Sequence, residues 1–219
     1  MKTLYIVANW KENKTQEEAL AFLSEFLRTY EPKPNVKIVI CPQYLVVPAV
    51  SDFIKSNNIN VAIGVQDISK FDEGAHTGEV SAREAREFAK YAIIGHSERR
   101  ALGETDDDVA KKAEMATKFN IEPILCVVNE NVPIPLEAKI IAYEPVEAIG
   151  TGNPDTPENA GEIASLIKSK NSQVQHVLYG GSVTSINVHK FTRMQNIDGV
   201  LVGGFSLDPM EFSAIIKEC

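Results

Sequence analysis

The chain predicts a closed (β/α)₈ barrel, and three observations carry that prediction. Eight short apolar runs recur along 219 residues: Leu4–Ala8, Val36–Cys41, Val61–Val65, Tyr91–Ile94, Pro123–Val128, Ile140–Tyr143, Val177–Tyr179 and Val200–Val202. They are continuous rather than alternating, as expected of parallel strands covered on both faces. Helical patterns separate most of them, and a strict alternation of strand and helix points to a barrel. A doubly wound open sheet is the alternative. The first strand is not followed by GxGxxG, which weakens its dinucleotide-binding form.

The helices are read in order. Thr15 to Tyr30 places Leu20, Phe22, Leu23, Phe26 and Leu27 at helical spacing behind a Thr15/Glu18 capping signal. Ser81 to Lys90 opens with the same pattern at Ser81 and Glu84. Asp106 to Phe119 begins with three acids, which suit the positive end of a helix. Pro157 to Lys170 follows Thr156, an N-cap with proline at the first helical position. Ser185 to Met194 and Pro209 to Glu218 complete the set. The connection from Val128 to Ile140 has only 11 residues and contains Pro133 and Pro135. The fifth helix is therefore expected to be missing or reduced to a turn, leaving an uncovered flank that could serve as a second subunit interface. The chain reads as one barrel domain, 1–219, without repeats or linkers.

Composition narrows the function classes. The formal charge is −8, from 22 basic and 30 acidic residues. No basic patch is visible, which argues against nucleic acid. Cys41, Cys126 and Cys219 form no CxxC, so neither a disulfide framework nor a metal site is expected. No run approaches the roughly 18 apolar residues of a membrane helix, and no signal peptide is seen. The expectation is a soluble cytoplasmic protein that needs no cofactor.

In a barrel, chemistry gathers where the strands end. Those positions hold Asn9-Trp-Lys11, Gly95-His-Ser-Glu-Arg-Arg100, Glu144 with the glycine loop after it, Gly180-Gly-Ser182 and Gly203-Gly204. The stretch Ala142 to Gly152 is read as a strand that delivers one acid and then becomes a mobile lid. A carboxylate, an imidazole, an ammonium and glycine turns together offer a base, an electrophile, a cation and an anion cradle.

These motifs resemble those of triosephosphate isomerases over nearly the whole chain. The resemblance rests on Asn9-Trp-Lys11, Gly74-Ala-His-Thr-Gly-Glu79, Gly95 to Arg100, Tyr143 to Gly152, Tyr179-Gly-Gly-Ser-Val183 and Gly199 to Gly204. It implies interconversion of dihydroxyacetone phosphate and glyceraldehyde 3-phosphate in glycolysis and gluconeogenesis. It casts Glu144 as base and His96 as neutral electrophile, its pKa depressed by the helix that starts beside it; the same roles are a standard illustration of pKa tuning. Lys11 supplies positive charge, and Asn9 orients it or adds a donor. Phosphate would be held by the N–H groups of Gly150, Ser182, Gly203 and Gly204, with a short helix after Gly204. Ile149 and Leu201 would desolvate Glu144, and Glu98 would have a structural or Lys11-pairing role. The loop Gln66 to Glu79 would insert into a partner subunit with Thr77 near the partner's site, giving a homodimer; a homotetramer stays open.

Four departures from the family pattern stand out. Glu147 takes the place of a frequent tryptophan, Asn153-Pro154-Asp155 replaces the usual trailing hinge, Phe205 stands beside the phosphate turn, and His76 replaces an aromatic. Two other functions compete: a metal-dependent phosphosugar epimerase and a catalytically silent binding barrel.

Overall fold

The computed structural model describes residues 2–145, 148 and 152–219. Eight strands close into a barrel in sequence order: β1 (Leu4–Asn9), β2 (Val36–Cys41), β3 (Ala62–Val65), β4 (Tyr91–Ile94), β5 (Glu122–Val127), β6 (Ile140–Tyr143), β7 (His176–Tyr179) and β8 (Gly199–Val202). All neighbours are parallel, and β1 closes the ring against β8 through Tyr5↔Gly199 to Ala8↔Val202. The strand boundaries match the apolar runs to within about two residues, as is usual for element ends.

Alternation along each strand separates two cores. Val7, Val39, Ile93, Ile124, Ala142, Leu178 and Leu201 fill the barrel interior. Ile6, Ile38, Ile94, Leu125, Ile141 and Tyr179 face outward and pack under the helices. This explains the continuous apolar runs: both faces are dry.

The helices are α1 (Gln16–Thr29), α2 (Val47–Ser56), α3 (Ala82–Ala85), α4 (Ser97–Ala101), α5 (Asp106–Lys118), α6 (Pro157–Lys170), α7 (Val188–Thr192) and α8 (Pro209–Lys217). Helix α1 begins with the Thr15/Glu18 capping box and buries Phe22, Leu23 and Phe26, each contributing roughly 1.5–3 kcal/mol. Capping boxes also open α3 at Ser81/Glu84 and α5 at Thr105/Asp108. Thr156 caps α6 ahead of Pro157.

Three differences from the sequence reading have local causes. Helix α2 lies where no helix was read; its second residue is Pro48, which looks like a break but is tolerated in a first turn. The segment from Ser81 keeps helix only over Ala82–Ala85 before turning into β4. The segment from Ser185 is helical only over Val188–Thr192, since residues up to Asn187 are held in a turn by Asn187 Oδ1 accepting from the Thr184 N–H.

No helix forms between β5 and β6, where residues 128–139 are turns and extended chain. The flank is not bare, however. Val132 and Ile134 pack onto the outer core in place of a helix, while Leu136 is exposed. Lys170 and Gln173 tie the segment down by donating to Asn131 Oδ1 and Ile134 O.

Beneath the rim lies a buried cation. Lys112, on α5, is 5% exposed and donates to Asp67 Oδ1 at 2.6 Å and to Glu104. Arg99 reaches the other Asp67 oxygen at 3.0 Å. Burial raises the Asp67 pKa, with Lys112 working against that rise. Removing the ammonium would leave two carboxylates facing each other in low dielectric. Lys112→Met is therefore expected to lower the unfolding free energy in urea by about 3–5 kcal/mol. A loss below about 1 kcal/mol, the scale of an exposed ion pair, would contradict this reading.

Candidate active site

The strand ends surround a cavity of about 430 Å³ lined by Asn9, Lys11, His96, Glu144, Gly180, Ser182, Leu201, Gly203, Gly204 and Phe205, among others. Glu144 follows the last residue of β6, and its N–H donates to Val127 O, which continues the β5–β6 ladder by one bond. The alternation that sends Tyr143 outward turns Glu144 inward, where it is 2% exposed. Its Oε1 lies 3.1 Å from His96 Nε2. Gly180 makes room for it, because a Cβ there would fall 2.7 Å from Glu144 Cγ. Cys126 lies below, its thiol pushed well up by burial and then by the Glu144 charge. A thiol with that bias stays protonated and serves the carboxylate as a weak donor.

His96 caps the start of α4. Its Nδ1 accepts the Glu98 N–H at 3.2 Å, which leaves Nε2 to carry the proton and point at Glu144. The sequence reading expected a depressed pKa. Burial does pull it down, but the Glu144 hydrogen bond and charge and the Glu98 charge outweigh burial, so the ring stands above its ordinary 6.5. The backbone limits that rise: a proton on Nδ1 would displace the Glu98 N–H bond. Most of the increase therefore belongs to the contact with Glu144 and is lost with that contact, the Glu98 charge remaining.

Lys11 sits in the left-handed region at φ 52°, a conformation that costs about 1–2 kcal/mol outside glycine. Two side chains hold it there. Asn9 Oδ1 accepts the Lys11 N–H at 3.1 Å, and Gln66 donates to Lys11 O at 2.9 Å and to Cys41 O at 3.0 Å. The Lys11 ammonium reaches Glu98 Oε1 at 2.6 Å. Asn9 thus acts on Lys11 through its side chain, and Glu98 makes the expected pair. Gln66 was not picked out from sequence, although it directly follows β3 as the other site residues follow their strands.

Gly203 and Gly204 line the cavity at the start of a 3₁₀ turn, Gly204–Leu207, and Gly203 lies close to Lys11. The Ser182 N–H donates to Ala148 O at 3.2 Å and the Ser182 hydroxyl to the same oxygen at 2.7 Å, while Gly152 N–H donates to Ser182 Oγ. Leu201 is 3% exposed and lines the same cavity. Phe205 also lines it, 47% exposed. Ile149, Gly150 and Glu147 lie outside the described residues. Thr77 is exposed on the loop after β3. A second cavity of about 310 Å³ adjoins the first, sharing Asn9, Lys11 and His96 and adding Gln43, Gln66, Glu98 and Arg99.

The triosephosphate isomerase family model matches residues 4–134 and 127–219, two segments that meet over the short β5–β6 connection. The chain belongs to the triosephosphate isomerase family. Membership in this isomerase family is supported along the full length of relatives. A triosephosphate isomerase of Endomicrobium trichonymphae is 37% identical over 249 aligned residues, covering 99% of both chains. That of Thermus thermophilus is 38% identical over 250, again 99% of both. That of Leifsonia xyli is 36% identical over 247, with 97% and 95% covered. The alignment with the Endomicrobium relative spans 249 positions against 219 residues here, a difference of 30. Among the described residues no helix is long and apolar enough to cross a membrane.

The His96 reading has a direct check. Replacing Glu144 by Gln removes the charge that raises the ring, leaving burial and Lys11 against Glu98. The His96 titration midpoint, followed by NMR of the ring protons, is expected to fall in Glu144→Gln. An unchanged or higher midpoint would contradict the assignment.

Proposed function

We propose that the chain interconverts dihydroxyacetone phosphate and D-glyceraldehyde 3-phosphate through an enediolate, with no cofactor or metal. The observation that carries this reading is the 3.1 Å approach of a buried carboxylate to His96 Nε2, in a cavity that also holds the Lys11 ammonium. Moving a carbonyl to the neighbouring carbon begins with loss of a proton α to it. That needs a base sheltered from water and donors for the oxygen that becomes negative.

Glu144 is the base. On substrate binding its carboxylate leaves His96 for the carbon, takes the proton, and returns it to the adjacent carbon, while the hydroxyl proton passes from one enediolate oxygen to the other by way of His96 Nε2. His96 Nε2–H then donates to the carbonyl oxygen in place of the carboxylate. With Glu144 engaged elsewhere, its contributions no longer raise the ring's pKa, while burial and Lys11 still lower it. A neutral imidazole is the better partner for an enediolate oxygen. Lys11 lies between that oxygen and the phosphate. Backbone N–H groups at Gly203 and Gly204, with Gly150 and with the Ser182 N–H once it leaves Ala148 O, receive the dianion. Leu201, together with Ile149, keeps water from Glu144, and Asn9 and Glu98 hold Lys11 in place.

By this reading the chain acts as one barrel unit in glycolysis and gluconeogenesis in the cytoplasm, without nucleic-acid or membrane partners. It works as a homodimer, with the loop carrying Thr77 seated against the partner near its site, and a homotetramer is compatible with the trimmed flank. The cavity beside Gln66 and Arg99 supports a docking role for such a loop, since it opens onto Lys11 and His96.

A coupled assay on glyceraldehyde 3-phosphate is expected to show turnover that chelators leave unchanged, and Glu144→Gln is expected to lose about 100- to 10,000-fold. No turnover, or full activity without Glu144, would refute the assignment. Activity that survives dilution to a monomer would refute the dimer.

A further inference from the structure

The loop that leaves Glu144 returns to the barrel at Asp155, directly before the Thr156 cap of α6. Every polar atom of Asp155 that faces the protein here has a partner. Its Oδ2 accepts the Tyr143 hydroxyl at 3.2 Å and the Asn159 side-chain amide at 2.7 Å. Its Oδ1 accepts the Thr156 N–H at 2.7 Å. Its own N–H donates to the Tyr179 hydroxyl at 2.8 Å.

The two tyrosines are the last residues of β6 and β7 and lie opposite each other in the sheet register. Both belong to the outer core, and Tyr179 is stacked on Phe191 at 4.0 Å. Each bears on the active-site rim. Tyr143 directly precedes Glu144, so the set of its ring fixes the strand end from which the carboxylate projects. The Tyr179 hydroxyl lies under Gly181, where a Cβ would fall 2.1 Å from it. It therefore supports the turn that leads to Ser182.

We propose that Asp155 is a positioning residue for the isomerisation: its carboxylate holds Tyr143, at the strand end that carries Glu144, while its backbone N–H holds Tyr179, beneath the turn that carries Ser182. This rests on the isomerase reading and adds to it a residue that never touches substrate. The carboxylate, rather than the backbone N–H, makes the tie to β6: among the described residues the Tyr143 hydroxyl donates to Asp155 Oδ2. A hydrogen bond to an ionised acceptor is about twice as strong as a neutral one. Burial first, and then the Asp155 charge and hydrogen bond, push the Tyr143 phenol far above its ordinary 10.0. The phenol thus stays a donor throughout the working pH range. Asp155 is also one of the positions where this chain departs from the family's trailing hinge, so the tie is a feature of this sequence.

The test is a double-mutant cycle of Asp155→Ala and Tyr143→Phe in the full-length enzyme, with kcat and KM for glyceraldehyde 3-phosphate measured beside thermal melting. A misplacement of about 1 Å at a catalytic group can cost about 100-fold. Each single variant is expected to lose at least about tenfold in kcat/KM. Asp155→Ala removes the link to Tyr143 but keeps the backbone N–H bond to the Tyr179 hydroxyl, so both variants should act mainly on kcat and leave KM within about twofold. The double variant should be no slower than Asp155→Ala alone. Losses below about tenfold, or effects that multiply independently in the double variant, would overturn the proposal. Should Asp155→Ala fail to fold, Tyr143→Phe decides by itself, because it removes the tie and leaves the carboxylate's contacts to Thr156 and Asn159. An inactive parent enzyme would instead count against the isomerase reading, which keeps the two failures distinct.

Discussion

The site depends on keeping a carboxylate dry while holding it only loosely. Glu144 is 2% exposed, and burial of a lone carboxylate is costly. The cost is met by the His96 Nε2–H at 3.1 Å, by the Ser97 N–H at a long 3.5 Å, and by the Cys126 thiol beneath. These are few and weak partners for a group with about four lone-pair positions. A carboxylate held this loosely is free to leave its resting position when a substrate enters. Stronger partners would hold it in the resting position.

The closed barrel makes that arrangement possible. Ring closure fixes eight strand ends on one rim, and alternation then decides what each end presents. Tyr143 outward and Glu144 inward are consequences of one register. Strain and buried charge accompany the precision. Lys11 is held at positive φ by Asn9 and Gln66, and Lys112 is buried between Asp67 and Glu104. Asp67 follows Gln66 in the chain, so the buried ion cluster anchors the segment that clamps Lys11. Stability spent below the rim holds geometry above it.

Much of this was legible in the sequence because the signals were local. Strands buried on both faces write themselves as continuous apolar runs. Thr15, Ser81 and Thr156 mark helix starts because the caps are contacts between near neighbours. Asn9, Lys11, His96 and Glu144 could be found because each follows a strand. What stayed hidden depends on contacts between distant segments. Helix α2 was masked by Pro48, and the shortening of α3 and α7 follows from turns set by neighbouring loops. Gln66 acquires meaning only once β1 and β3 meet, and the Asp155 link only once β6, β7 and the start of α6 converge. The direction of the His96 shift was also out of reach. Helix α4 alone argues for depression, whereas the rise comes chiefly from Glu144, 48 positions away in the chain.

The most direct test is a crystal structure with a phosphorylated carboxylate or hydroxamate that mimics the enediolate. The account predicts that its phosphate lies on the N–H groups at Gly203 and Gly204, and that its oxyanion sits between His96 Nε2 and Lys11 Nζ. Glu144 should have left the imidazole to face the reacting carbon. A ligand seated instead against Gln43 and Arg99, or a Glu144 still paired with His96 in the complex, would contradict it.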